Sequence, residues 1–183
     1  MTPPQPHAPE RVILINGVPA AGKSSVAAKL RAVMRRSTTV RTDDAVIAVR
    51  KSYRTRGRAV DPITLSAESW ARVLQLVRDA LGKGNVVVDG AMTERQIREA
   101  QGSFGDRAMF VVLRITEETR QQRQSDRDRE GRRLATALGE DAHGRTGPDE
   151  LYDLVIDAEA TSPKGCAREI VALARERWPV AQL

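Results

Sequence analysis

Gly17-Val18-Pro19-Ala20-Ala21-Gly22-Lys23-Ser24 follows the apolar run Val12-Ile13-Leu14-Ile15 and opens a helical pattern near Lys23. The octet fits G-x4-G-K-[ST], and the strand, loop and helix context gives the pattern its physical meaning. Successive backbone N–H groups, glycines that let the loop close tightly, and the positive end of the following helix make a cradle for phosphate oxygens. Ser25 extends this nucleotide-binding set by one residue. The ammonium of Lys23 is suited to the β and γ phosphates of a nucleoside triphosphate, and the hydroxyl of Ser24 to Mg2+, a hard cation that takes oxygen ligands. A loop of this kind predicts an α/β fold built on a parallel sheet.

The chain has 183 residues, enough for one domain with a substantial core. Its net charge of +6 is spread along the sequence among acidic neighbours, so it is weak evidence for a nucleic-acid partner. Aromatic residues make up 3%, which leaves few platforms for stacking single-stranded bases and makes nucleic acid an unfavoured partner. The single cysteine, Cys166, permits no intramolecular disulfide, and this predicts a reducing, cytoplasmic location. Residues 1–10, with Pro3, Pro4, Pro6 and Pro9, read as a disordered tail, and residues 11–183 as one domain. No apolar run approaches the ~18 residues of a membrane span. The oligomeric state is not legible.

Outward from the loop, Val26, Ala27, Leu30, Val33 and Met34 recur at helical spacing. Thr38 to Arg41 predicts a second strand, and a helix follows from about Asp44 to Tyr53. Arg54 to Pro62 reads as an exposed loop. Ser66 is the expected N-cap of a helix whose apolar face is Trp70, Val73, Leu74, Val77 and Leu81. Val86-Val87-Val88, Met109 to Leu113 and Leu154-Val155-Ile156 complete five strands. A short helix near Glu94 to Ala100, a polar one capped by Thr116, and a last one from Ser162-Pro163 lie between and after them. Arg129 to Gly147, rich in glycine and arginine, reads as a mobile lid. The expected architecture is a five-stranded parallel sheet wrapped by helices on both faces.

Phosphoryl transfer requires a held donor, neutralisation of developing charge, and a positioned acceptor. Asp43, just past the second strand, is a candidate general base for an acceptor hydroxyl. Asp43 or Asp44 capping the next helix is the plainer alternative, and Asp44 is the better candidate for that role. Asp89 ends an apolar strand beside the loop, where a carboxylate reaches Mg2+ directly or through water, or simply forms a turn before Gly90. Arg123 and Arg127 share a helix face at i, i+4 and point toward the lid, so either can clamp the transferring phosphoryl; solvated partners of Asp126 and Asp128 are the alternative.

Several short motifs fall in a recognisable order. They are Ile13-Leu14-Ile15-Asn16-Gly17 through Ser24, Thr42-Asp43, Ser69-Trp70-Ala71, Val86-Val87-Val88-Asp89, Arg114 followed by Arg123 and Arg127, and Tyr152-Asp153 leading to Ile156-Asp157. Together they resemble the chloramphenicol phosphotransferase-like group of P-loop kinases. The resemblance implies a small kinase of nucleotide-kinase-like fold that moves the γ-phosphate of ATP to a hydroxyl of a small molecule, an antibiotic or a metabolite, with Asp43 as base. It places the acceptor pocket at about Ala45 to Glu68, a stretch that carries Arg50, Lys51, Arg54, Arg56 and Arg58. A neutral aromatic drug does not need those cations, so the stretch also suggests a nucleotide or polynucleotide 5′-end kinase. Arg41-Thr42-Asp43-Asp44 resembles that second family too, but Val46 stands where it places an arginine. A nucleotide-binding regulatory NTPase is a third reading; Asp43 speaks against it, because a hydrolase orients water rather than deprotonating an alcohol.

Overall fold

Side chains alternate across a strand, so a strand that is apolar at every position must be covered on both faces. The computed structural model describes residues 10–34, 36–129 and 146–179, with side chains in the last turn before residue 130 described through Asp126. Five strands, β1 (Val12–Gly17), β2 (Ser37–Arg41), β3 (Asn85–Asp89), β4 (Ala108–Arg114) and β5 (Leu154–Asp157), form one sheet in the order β2-β3-β1-β4-β5. Every pairing is parallel. The connecting helices are α1 (Lys23–Val33), α2 (Thr42–Thr55), α3 (Pro62–Leu81), α4 (Glu94–Phe104) and α5 (Glu117–Arg129), and α6 (Pro163–Arg177) closes the described chain.

The alternation along the strands divides the core in two. Ile13, Ile15, Val87 and Met109 face α1 and α6, where Leu30, Ile170 and Trp178 pack on them. Val12, Leu14, Val86 and Val88 face α3 and α4, against Trp70, Val73, Ile97 and Phe104. All strands end at the same edge of the sheet. The chain leaves central β1 for its outer side through α1, returns to β3, and then crosses β1 to β4, so the crevice at the carboxyl end of β1 is the topological switch point where α/β sheets bind ligands.

Two helix starts and one buried position differ from expectation. α2 begins at Thr42 with Arg41 as N-cap and no side-chain cap, so Asp43 and Asp44 both lie inside the first turn and neither caps it. Their charges still favour that end of the helix dipole. α3 begins at Pro62, not Ser66: the Asp61 carboxylate accepts from the N–H groups of Ile63 (3.0 Å) and Thr64 (2.9 Å). Proline at the first position forfeits no hydrogen bond there. Ile63 is 84% exposed, so the opening turn carries no amphipathic signal. Val33 is exposed, and the buried face of α1 is Val26, Ala27 and Leu30, with Met34 just beyond. The tail assigned to residues 1–10 and the lid assigned to 129–147 fall almost wholly outside the described residues. At the near end of the second segment, Thr146 is buried.

Candidate active site

The loop from Gly17 to Ser24 joins β1 to α1 at the switch point. Gly22 caps α1 at φ 96, in the left-handed region where a side chain is disfavoured. Ala20 occupies that region without being glycine, at φ 69, and such strain at functional loops costs of order 1 kcal/mol. Nζ of Lys23 donates to the carbonyls of Gly17 and Val18, both at 2.9 Å, so its charge is held over the mouth of the loop. Ser24 and Ser25 stand exposed in the first turn of α1.

A cleft of about 380 Å3 opens beside the loop. Lys23 and Ser24 border it, as do Asp43 and Asp89, so four of the residues singled out for chemistry meet in one place, while Arg123 lines a different recess. Asp89 is 5% exposed and sits at the end of β3, paired in register with Ile15 on one side and Arg41 on the other. Nε of Arg41 is 3.9 Å from its Oδ2. The next residue, Gly90, abuts the start of α2: a Cβ there would come within 2.0 Å of Thr42 Oγ1. Absence of a side chain at residue 90 thus lets the first turn of α2, with Asp43, lie against the end of β3.

Mg2+ is held through few protein ligands, typically one or two carboxylates with substrate phosphates and water. Ser24 and Asp89 on one wall supply that small oxygen set, and no group of three His, Cys, Asp or Glu occurs among the described residues to favour a softer metal. The donor set therefore fits Mg2+ accompanied by a polyphosphate.

Beyond Asp43 the cleft is walled by α2 and α3. Val46 and Arg50 line it from α2, and Leu65, Ser69, Trp70 and Val73 from α3. Of the five cations expected there, only Arg50 reaches the wall; the others point to solvent among the described residues. Among the described residues Ser69 Oγ and Trp70 Nε1 are buried with no hydrogen-bond partner, a condition that costs about 1–3 kcal/mol for each such group.

The motif reading did not identify the polar hub beneath the loop. Asn16, fully buried on β1, accepts from the N–H groups of Gly17 and Met92 (each 2.8 Å), and its Nδ2 donates to Met92 O (2.9 Å) and the Tyr152 hydroxyl (2.6 Å). Tyr152 in turn donates to Thr146 O. Burial pushes the Tyr152 phenol up from its ordinary value. Arg114, at the end of β4, binds Thr146 Oγ1 at 2.6 Å, Gly147 O at 2.9 Å and the Asp149 carboxylate. An asparagine inside an apolar strand was the available signal, because such a residue must find partners for both amide atoms.

On the far side of the loop lies a recess of about 600 Å3. Arg123 spans it, donating to Ala20 O (3.4 Å) and Ala158 O (3.1 Å), and so ties the loop to the segment after β5. The side chain of Arg127 lies outside the described residues.

Residues 10–175 match the family model described as chloramphenicol phosphotransferase-like protein. The chain belongs to this family. A phosphotransferase of P-loop kinase fold is what that membership and the sheet order describe. No curated protein matches the chain. Among solved structures, the tunicamycin resistance protein of Deinococcus radiodurans has a TM-score of 0.66 at 19% identity, over 90% of this chain and 95% of that one. The Mycobacterium tuberculosis APS kinase in complex with AMPPNP and APS gives 0.67 at 15%, over 91% and 98%. Shikimate kinase from Acinetobacter baumannii gives 0.60 at 19%, over 92% and 95%. Identities this low establish likeness of fold only. Within this chloramphenicol phosphotransferase-like chain, no described helix is long and apolar enough to cross a membrane.

Proposed function

We propose that this protein transfers the γ-phosphoryl of ATP to a hydroxyl of a small molecule bound between α2 and α3. The observation that carries the reading is that one cleft of about 380 Å3 brings Lys23, Ser24, Asp43 and Asp89 together with Val46, Leu65, Trp70 and Val73, side chains suited to the body of a small acceptor.

In this reading the loop amides and Lys23 bind the phosphates, and the recess beside Arg123 takes the nucleobase. Mg2+ held by Ser24 and Asp89 neutralises charge on the phosphates when bound. The carboxylate of Asp43 accepts the acceptor's hydroxyl proton; the acceptor oxygen forms a bond to the γ-phosphorus as the bond to the ADP oxygen breaks. Arg127, supported by Arg123, offsets charge on the transferring group. The apolar walls exclude water, which limits hydrolysis in place of transfer.

An ATP-consumption screen over alcohols, nucleosides and antibiotics tests this, with mass spectrometry of each product. A phosphorylated acceptor is expected. Consumption of ATP that yields only inorganic phosphate, whatever alcohol is present, would return the protein to the NTPase class.

A further inference from the structure

The acceptor cleft has one end whose chemistry is unmet. Asp43, Val46 and Arg50 recur along α2 at helical spacing and all line the cleft. Seven residues separate the aspartate from the arginine, or about 10 Å along a helix axis. The cleft therefore has a hydroxyl-accepting end at Asp43 and a cationic end at Arg50.

α2 and α3 are joined by residues 56–61, and the Tyr53 hydroxyl donates to Glu68 Oε1 at 2.6 Å. That bond sets the two helices side by side. Arg50 is one turn before Tyr53, and Ser69 and Trp70 directly follow Glu68, so these three residues stand at a similar level of the hairpin. Ser69 and Trp70 are each 4% exposed, and Ser69 Oγ and Trp70 Nε1 have no partner among the described residues although both residues line the cleft. A serine inside a helix ordinarily turns its hydroxyl to the carbonyl four residues back. Ser69 does not, and the indole N–H beside it is likewise unused. The carboxylate of Glu68 is taken by Tyr53.

We propose that Arg50, Ser69 and Trp70 form a carboxylate-binding subsite, and that the acceptor is a hydroxy acid with an apolar body lying over Val46, Leu65 and Val73. This deepens, and rests on, the reading of the cleft as an acceptor site. One guanidinium with two neutral donors balances a singly charged carboxylate, whereas a phosphate ester brings about two charges against that one cation. Lys23 and Arg41 belong to the other end, beside the loop and Asp89. A carboxylate supplies lone pairs to both orphaned donors at once.

The test offers MgATP with a series of hydroxy carboxylates of increasing chain length, each paired with its methyl ester, and reads phosphorylated product. Turnover is expected among the acids, with the esters at least about tenfold poorer, the scale of one charge-assisted contact. Arg50→Gln should remove that difference chiefly through KM. Indole 15N–1H resonances give a second readout that needs no variant. The chain has two tryptophans, and Trp178 Nε1 already donates to Asp106 O at 2.9 Å, so its signal serves as an internal reference. The Trp70 proton should move downfield with a bound acid and stay in place with its ester. Esters turned over as well as acids, or a Trp70 signal unmoved by an acid that is turned over, would overturn the subsite and leave the kinase reading standing. If MgATP binds and neither acids nor esters nor any neutral alcohol is phosphorylated, the acceptor reading fails, and the subsite with it.

Discussion

Asn16 and Tyr152, 136 positions apart in sequence, meet side chain to side chain at 2.6 Å directly beneath the phosphate loop. Asn16 thereby holds the first residue of the loop, the segment after β3 and the return to β5 at once. Asn16→Leu keeps the volume and removes every one of these bonds, stranding the buried N–H groups of Gly17 and Met92. A loss of about 3 kcal/mol is expected, read as a lower urea midpoint with unchanged slope. A loss below about 0.5 kcal/mol, the range of an ordinary surface change, would show that the hub is dispensable.

Lys23→Ala should leave the fold intact and abolish transfer. The ammonium binds loop carbonyls at the edge of the cleft, on a side chain that is only partly buried. Circular dichroism and turnover measured on the same sample check this; wild-type turnover in the variant would dismiss the loop as the donor site.

Asp43→Asn should lower kcat by about 100-fold or more with ATP binding nearly unchanged, the usual scale of general-base catalysis. Asp44→Asn should do far less, because Asp43 lines the cleft and Asp44 does not. If the two variants rank the other way, the base has been misassigned.

Arg127→Ala should reduce kcat much more than it weakens ATP binding, as expected of a contact made chiefly in the transition state. Arg123→Ala should instead raise the KM for ATP, since its guanidinium joins Ala20 of the loop to Ala158. Equal effects of both variants on KM alone would place the charge-offsetting role elsewhere, with Arg41, beside Asp89, as the next candidate.

Tyr152 supplies a pH prediction. Burial raises the phenol's pKa in the fold above its unfolded value. Below an unfolded pKa of about 10, both states keep the proton and stability does not vary on this account. Above it the unfolded chain releases the proton while the native state retains it, so stability falls as pH rises toward the folded pKa. Denaturant midpoints taken across this alkaline range should decline less steeply in Tyr152→Phe than in the wild type. Parallel declines would remove Tyr152 as a source of the slope.

The sheet and the loop were legible because their signals are local. Val12 to Ile15 and Val86 to Val88 are apolar at every position, which only a strand covered on both faces tolerates. The start of α3 was not, because its opening turn carries Ile63 into solvent and its cap, Asp61, precedes the amphipathic stretch. Val33 looked like a core position by spacing alone and is exposed, since periodicity gives a face without saying where the neighbouring helix ends. Asp43 and Asp89 were placed at one site by strand order. The hub around Asn16 and the unpartnered atoms of Ser69 and Trp70 were invisible, because partners brought together across the fold leave no spacing to read.

The fit of Gly90 against the Thr42 side chain sets the first turn of α2, with Asp43, close against the end of β3, which carries Asp89. The walls that would choose an acceptor are carried instead by the α2–α3 hairpin, and Arg50, Ser66 and Ser69 stand on it well away from that junction. Asp43 and Arg50 thus share α2, the first in the turn that abuts β3 and the second about two turns further along. In the proposed reading, substitutions in the later turns of the hairpin would change the choice of acceptor, whereas a side chain at residue 90 would press on Thr42 and displace Asp43 beside it, whatever the acceptor.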